Sequence, residues 1–528
     1  MASKGKGKKG KAEPEKAQSE FINKINTQTL DQFIEEVLEK GQITEVLTLD
    51  LSRKKLSEIN PRIRFYFRML KNLVNLNLYG NKLRTLPVEI GELKSLTRLG
   101  ANENHLMELP PQIGNLVNLQ LLDLRFNRLS TLPPEIGNLK GLKKLFVRFN
   151  KLVKIPDEIG NLVNLEVLSL RNNRLQGVPD TVANLTQLEV FDVQHNAIES
   201  LPPLGTLKKL TSLDVQYNQL RALPDCVWQL TKLTGLHVKY NQIRDISPDL
   251  LLNMGGLEEM DFEGNRLSHV PPQMHALITL KKLYLSRNNI SELPPEFGNL
   301  RCLEELYIND NNIASLAHIV NLTTLRVLNL SNNNLQELPK EIARLSLLRE
   351  LNIGANYLSH LIPEIGSLKL LTLLEVNDNV LEDIPNQISS LQCLQTLNLE
   401  GNQLHCLPDD IGAMTGLRKL LLGYNRLVEM TPEIGKLTDL IELNLDENKL
   451  KRLPPEIGRM VSLEVLSFNE NEMNDLPDDL YRLDHLRLFG MDDNPLEDIP
   501  GHITEGGSQE VFNFLGQRLA AKEGGGGY

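Results

Sequence analysis

The sequence predicts a curved α/β solenoid of about 20 repeats, with a parallel strand face inside, an irregular convex return outside and a helical cap at each end. Three observations lead there. The pattern L-x-x-L-x-L-x-x-N-x-L recurs along nearly the whole chain. Its Asn falls at 81, 104, 127, 150, 173, 196, 218, 241, 265, 288, 311, 333, 356, 379, 402, 425, 448, 471 and 494, a spacing of 23 with isolated departures to 22 or 24. In 15 of the 19 Asn-bearing repeats a Pro follows six residues after the Asn, usually within L-P-x-x-I-G-x-L.

Each L-x-L centre reads as a short strand, leucines inward and the intervening residues outward. The Asn sits where the coil turns, and its amide can bond backbone groups of adjacent coils as a ladder. The Pro suits an outer return that carries no continuous strand ladder. A segment with these features is a leucine-rich repeat, so the fold class is a leucine-rich repeat solenoid. An earlier copy, VLTLDLSRKKL at 46–56, has Lys54 in place of the Asn and is followed by a longer step of 27 residues.

Such an array needs its end leucines covered. Residues 29–41 predict an amphipathic capping helix, with Leu30, Phe33, Ile34, Val37 and Leu38 on one face. At the other end, 506–519 predict a closing helix that buries Val511, Phe512, Phe514, Leu515 and Leu519. The expected organisation is therefore a Lys-rich tail at 1–20, an N-terminal cap at 21–42, the solenoid at 43–504, a C-terminal cap at 505–519 and a tail at 520–528.

The charge balance narrows the partners. Lys and Arg number 57 against 68 Asp and Glu, a net −11. The first 20 residues carry six Lys and three acids, so the rest of the chain carries −14. A body that acidic repels phosphate backbones, which argues against nucleic acid. No apolar run has the roughly 18 residues of a transmembrane helix. Cys226, Cys302, Cys393 and Cys406 are scattered, which suits a reducing compartment, cytoplasmic or nuclear. No nucleophile motif stands out and leucines fill the interior, so no enzyme, cofactor or metal site is expected. GKGKKGKA at 5–12 only imitates a phosphate loop, because Ala12 stands where Ser or Thr is needed.

In a solenoid the outward strand positions carry function. Repeats 1–9 place seven basic and five acidic residues there, whereas repeats 10–20 place three and fifteen. Three consecutive repeats, DLRFNRL, FVRFNKL and SLRNNRL, set Arg125, Arg148 and Arg171 at one position, predicted to stack about 4.8 Å apart. Phe126, Phe146 and Phe149 lie beside them. Arginine with aromatics is the composition of interface anchors; a solvated basic stripe balanced by Asp123 is the plainer alternative. The next repeats align His195, Tyr217 and Tyr240 at one position and Asp192, Asp214 and His237 at another, with Lys239 adjacent. An interface accounts for these better than a metal site, for which no converging ligand set is present. Arg62, Ile63 and Phe65 have the basic–Ile–x–Phe form of a short docking motif for the catalytic subunit of protein phosphatase 1, a motif that adds as an extended strand. Convex packing inside the long first step explains the same residues.

The repeat array, the L-P-x-E-I-G-x-L segment and the ordered run Arg125, Arg148, Arg171, His195, Lys239 and Tyr240 resemble the intracellular Ras-group leucine-rich repeat proteins. The ending with Gly506, Gly507, Phe514 and Leu515 is similar too. The resemblance spans roughly residues 30–520. It implies a scaffold in MAP-kinase signalling that holds a GTP-loaded Ras-family GTPase and the phosphatase catalytic subunit, directing dephosphorylation of Raf-type kinases. Tyr79 and the arginine run would then meet the GTPase. Two departures stand out: the tail has no Val-x-Phe phosphatase motif, and Asn77 replaces a family Tyr. A general adaptor for polarity, adhesion or ubiquitin pathways is the alternative.

Overall fold

The computed structural model describes residues 46–59 and 61–524. The expected tail at 1–20, the cap at 21–42 with its helix, and residues 525–528 lie outside the described residues. The chain divides into two compact units, Met1–Ile243 and Arg244–Tyr528.

The first unit carries nine strands: β1 (Thr48–Asp50), β2 (Asn75–Asn77), β3 (Arg98–Gly100), β4 (Leu121–Asp123), β5 (Lys144–Phe146), β6 (Val167–Ser169), β7 (Val190–Asp192), β8 (Ser212–Asp214) and β9 (Gly235–His237). Each pairs in parallel with the next and in strict register, so that Leu122 faces Leu145 and Leu145 faces Leu168. The second unit carries eleven, from β10 (Glu259–Asp261), β11 (Lys282–Tyr284), β12 (Glu305–Tyr307), β13 (Val327–Asn329) and β14 (Glu350–Asn352) to β20 (Leu488–Gly490), paired in the same way. The strands are three residues long because the coil turns at the Asn. The central residue, Leu in all but β7 (Phe191), β10 (Met260) and β20 (Phe489), points inward and is buried in every strand but β20, while its two neighbours face outward, as the alternation requires.

The Asn ladder runs from coil to coil within each unit. Asn150 Nδ2 donates to Leu124 O of the preceding coil at 2.9 Å and to Val147 O at 2.9 Å. Its Oδ1 accepts from Leu129 N at 2.9 Å, so one side chain satisfies three buried backbone groups. The first repeat lacks its Asn, yet Asn81 reaches back to Leu51 O at 2.8 Å and accepts from Leu56 N at 3.0 Å.

The return segments are more regular than an irregular convex side. Nearly every one is a short 3₁₀ helix opened by the Pro, as at Pro134–Asn138 after Pro133, whose φ of −71° and ψ of 147° set the entry. The Gly of this segment is steric. A Cβ on Gly137 would lie 2.5 Å from Glu158 O of the next coil, so only Gly permits that approach.

The 27-residue first step holds helix α1 (Pro61–Phe67), which buries Ile63, Tyr66 and Phe67. At the start of the second unit the usual 3₁₀ turn gives way to helix α2 (Pro248–Asn253). The C-terminal end is closed by α3 (Gly501–Glu505) and α4 (Ser508–Gly524). Val511, Phe512 and Leu515 are buried, while Phe514 is half-buried with Arg518 5.6 Å above its ring. The helix continues to Gly524, past the 519 boundary read from the sequence. Ala520 and Ala521 favour helix, and Lys522 Nζ bonds Asp478 Oδ2 at 2.6 Å.

Candidate functional site

The strand face of the first unit gathers the predicted residues into three rows. Strand register aligns Asp123 with Phe146, Phe146 with Ser169, Ser169 with Asp192, Asp192 with Asp214 and Asp214 with His237. Two residues on, the second row holds Arg125, Arg148, Arg171, Gln194, Gln216 and Lys239. Beside it runs a third: Phe126, Phe149, Asn172, His195, Tyr217 and Tyr240.

Every member of the third row has φ between 51° and 57°. This left-handed region suits Gly and Asn and penalises bulky side chains. Five of the six are nevertheless aromatic. The equivalent row of the second unit is mostly Gly, Asp, Asn and Glu, with Tyr424 as its single aromatic residue among those described. The aromatic rings form ladders: Phe126 on Phe149 with centroids 4.4 Å apart, His195 on Tyr217 at 4.1 Å and Tyr217 on Tyr240 at 4.7 Å, all nearly parallel. Phe126 and Phe149 stay 44% and 38% exposed, so the stacks face solvent rather than core. The aromatic residues themselves carry no sign that their position is left-handed; the sign is the Gly, Asn and Asp that fill the same position in other repeats, such as Gly80, Asn172, Gly264 and Asn332.

The three arginines occupy one row on successive coils but differ in environment. Arg125 is paired: its Nε donates to Asp123 Oδ1 at 2.8 Å and its Nη2 to Asp123 Oδ2 at 2.5 Å, with the guanidinium 5.5 Å from the Phe146 centroid. Arg171 Nε donates to Asn172 Oδ1 at 3.0 Å. Arg148 lies between them with its Nε buried and without a hydrogen-bond partner. The column thus holds one paired guanidinium, one tethered to its neighbour and one whose Nε is without a partner. Tyr79 belongs to a separate pair two coils earlier, where Arg53 Nη2 donates to its hydroxyl at 3.0 Å and caps its ring at 5.1 Å. Arg53, one of the seven basic residues at the outward positions of repeats 1–9, thus joins Tyr79 on this face.

The acidic row continues from the arginines. Ser169 Oγ donates to Asp192 Oδ2 at 3.0 Å, and Gln194 Nε2 donates to Asp214 Oδ2. Burial pushes the Asp214 carboxyl up to about 6, reinforced by the Asp192 charge and opposed by the Gln216 amide and His237. Burial also lowers the His195 pKa, with the Arg171 charge acting in the same direction and the Asp192 charge opposing. His237 leans over Gly235, where a Cβ would lie 2.8 Å from its Nε2.

The candidate docking residues lie elsewhere, in α1. Helical backbone over Pro61–Phe67 and a buried Ile63 replace the extended strand that such a motif uses; Phe65 is well exposed. Among the described residues no group of three or more His, Cys, Asp or Glu is placed to hold a metal, and no helix is long and apolar enough to cross a membrane.

Known families match this chain in several stretches: a leucine-rich repeat region over residues 98–191, and leucine rich repeats over 163–220, 257–313, 324–345 and 393–414. A leucine-rich repeat protein of Leptospira interrogans is 31% identical, with a TM-score of 0.59, covering 82% of this chain and 98% of its own. The plant peptide hormone receptor RGFR1, solved in complex with RGF2, is 29% identical at a TM-score of 0.63, covering 84% and 81%. The Arabidopsis receptor kinase HAESA, in complex with the peptide hormone IDA and the co-receptor SERK1, is 26% identical at 0.65, covering 85% and 78%. Among curated proteins none matches.

Proposed function

The chain belongs to the leucine-rich repeat family, and from that premise we propose a non-enzymatic protein-binding scaffold whose first unit holds a GTP-loaded Ras-family GTPase on its strand face. The carrying observation is the Arg125–Arg148–Arg171 column beside the stacked Phe126 and Phe149. Among the described residues Arg148 has no carboxylate partner of the kind that holds Arg125, so its guanidinium charge is available to pair with a carboxylate from an acidic protein surface. The exposed aromatic stack supplies the apolar contact around that anchor. Fold neighbours support the general mode, since RGFR1 and HAESA are each solved with a protein or peptide ligand.

In this proposal the acidic strand face of the second unit takes a basic partner, the catalytic subunit of protein phosphatase 1. The assembly acts in the cytoplasm on Raf-type kinases of the MAP-kinase cascade. The helical Arg62, Ile63 and Phe65 offer no extended strand, so the phosphatase contact falls on the strand face instead.

The test is affinity purification from the native cell with a non-hydrolysable GTP analogue or with GDP, using the wild-type chain and Arg148→Glu. A Ras-family GTPase retained by the wild type only with the GTP analogue, and lost with Arg148→Glu, supports the proposal. A phosphatase subunit in the same eluate supports its second part. Retention that ignores both nucleotide and substitution returns the chain to the general adaptor class.

A further inference from the structure

The second unit holds an aromatic pair that the GTPase proposal does not use. Tyr284 and Tyr307 occupy register-matched ends of β11 and β12, and their rings stack 5.0 Å apart at 8°. Rings stacked between neighbouring strands stand upright on the sheet, so the second face of Tyr307 looks towards β13. The residue in register there is Asn329, and because its side chain is much shorter than tyrosine, residue size implies a step, or notch, beside the ring. Two positions earlier on these strands, and so on the same face, Glu305 is in register with Val327 and Val327 with Glu350, so two carboxylates bracket the notch.

The electrostatics favour one kind of occupant. Burial raises the Tyr307 pKa, and Glu305 and Glu350 raise it further, so the phenol sits in a negative field. The outward strand positions of this unit hold fifteen acids and three bases. All three bases are engaged by acids of the same face: Lys282 with Glu305 at 2.8 Å, Arg287 with Asp310 at 3.6 Å and Lys419 with Glu442 at 3.0 Å. No ion pair reaches Glu350 among the described residues.

We infer that the notch formed by Tyr307, Asn329, Glu305 and Glu350 is an arginine-binding site, and that it anchors an extended, arginine-bearing segment of a protein partner on this strand face. A guanidinium is planar and stacks on an aromatic face while its edge donates to carboxylates; an ammonium offers no such plane. The site stands independently of the first-unit arginines.

The test is fluorescence polarisation of a labelled hexa-arginine peptide against the full chain. Binding is expected to exceed that of hexa-lysine and to weaken between about 50 and about 200 mM salt. Tyr307→Ala is expected to weaken it about fivefold or more, while Tyr307→Phe, which keeps the ring face, retains it. Glu350→Gln is expected to weaken it about threefold. A control pair on the same face, Glu470→Gln with Asp493→Asn, removes charge away from the notch and is expected to change little. Equal weakening by that control pair, or an unchanged affinity for Tyr307→Ala, overturns the site. Thermal melts of each variant separate lost binding from lost folding, and the Phe and Gln variants keep the test alive if Tyr307→Ala unfolds. Arg148→Glu leaves this affinity unchanged, so the arginine notch and the GTPase proposal fail or stand separately.

Discussion

Asp123 grips Arg125 with both carboxylate oxygens, and the next arginine of the column, Arg148, has no such partner. The two residues share a strand position one coil apart, so the contrast isolates what a paired and an unsatisfied guanidinium do on the same surface. Removing Arg125 leaves the largely buried Asp123 carboxylate without its counter-ion. Arg125→Ala is therefore expected to destabilise the first unit by about 1–3 kcal/mol. Arg148→Ala removes an orphaned donor and is expected to change stability by less than about 0.5 kcal/mol. Urea melts of the two variants decide it. Equal losses would give Arg148 a structural role and weaken its assignment to a partner.

The aromatic row carries a strained backbone. Phe149→Asn relieves the left-handed penalty but breaks the Phe126 stack, two opposing effects of about 1 kcal/mol each. Stability is expected to change by less than about 1 kcal/mol, while retention of the proposed GTPase falls sharply. A melt and a pull-down on the same preparation check both halves. A variant that binds normally would show the stack to be dispensable.

The ladder asparagines are structural. Asn150→Ala orphans Leu124 O, Val147 O and Leu129 N at once. The expected loss is about 1–3 kcal/mol, or somewhat more because three groups are exposed together. Hydrogen exchange at the Leu129 amide should accelerate first, and protection as in the wild type would contradict the ladder.

Asp214 gives the first unit a pH dependence of unusual sign. Its folded pKa, about 6, lies above the unfolded carboxylate value. Its favourable contribution is thus fully present below about pH 4 and is lost as pH rises through about 6. Asp214→Asn is expected to raise the melting temperature at pH 7 and to leave it nearly unchanged at pH 4. A larger gain at pH 4 than at pH 7 would reverse the sign and refute the shift.

Asp478 behaves in the opposite way at the C-terminal cap. Burial alone would raise its pKa, but hydrogen bonds from Lys522 and Arg518 outweigh burial and hold it below the ordinary value. Arg518 also reaches Asp475 Oδ1 at 2.7 Å and Leu476 O at 2.6 Å, which fastens α4 to the last coil. The stabilisation is present above about pH 4 and is lost as pH falls through the depressed value. Hydrogen exchange in 508–524 is expected to rise at acid pH, and Asp478→Asn to reproduce the loosening at pH 7. Exchange that ignores both would detach the cap from this ion pair.

The scaffold was largely legible because each repeat position has one physical task. A buried leucine, a turn Asn and an entry Pro recur wherever the coil demands them, and 19 copies make the period unmistakable. The C-terminal cap was legible in Val511, Phe512 and Leu515, but not in the Arg518 latch, which joins residues some 40 apart. The alignment of Arg125, Arg148 and Arg171 followed from the same period. Tyr284 and Tyr307 share a period position too, yet they lie among acids that drew attention to charge instead of to the rings.

Periodicity in sequence establishes which residues lie in one row, because a repeat of constant length returns each position to the same place on the next coil. It is silent on what a row member touches. Tertiary structure alone decided that Arg125 turns back to Asp123 while Arg148 does not, that the aromatic rings of the third row stack coil on coil, and that Arg62, Ile63 and Phe65 coil into a helix that buries Ile63. Side-chain rotamers, local backbone region and the fill of a longer step depend on neighbours one coil away, and those neighbours meet only when the chain is wound.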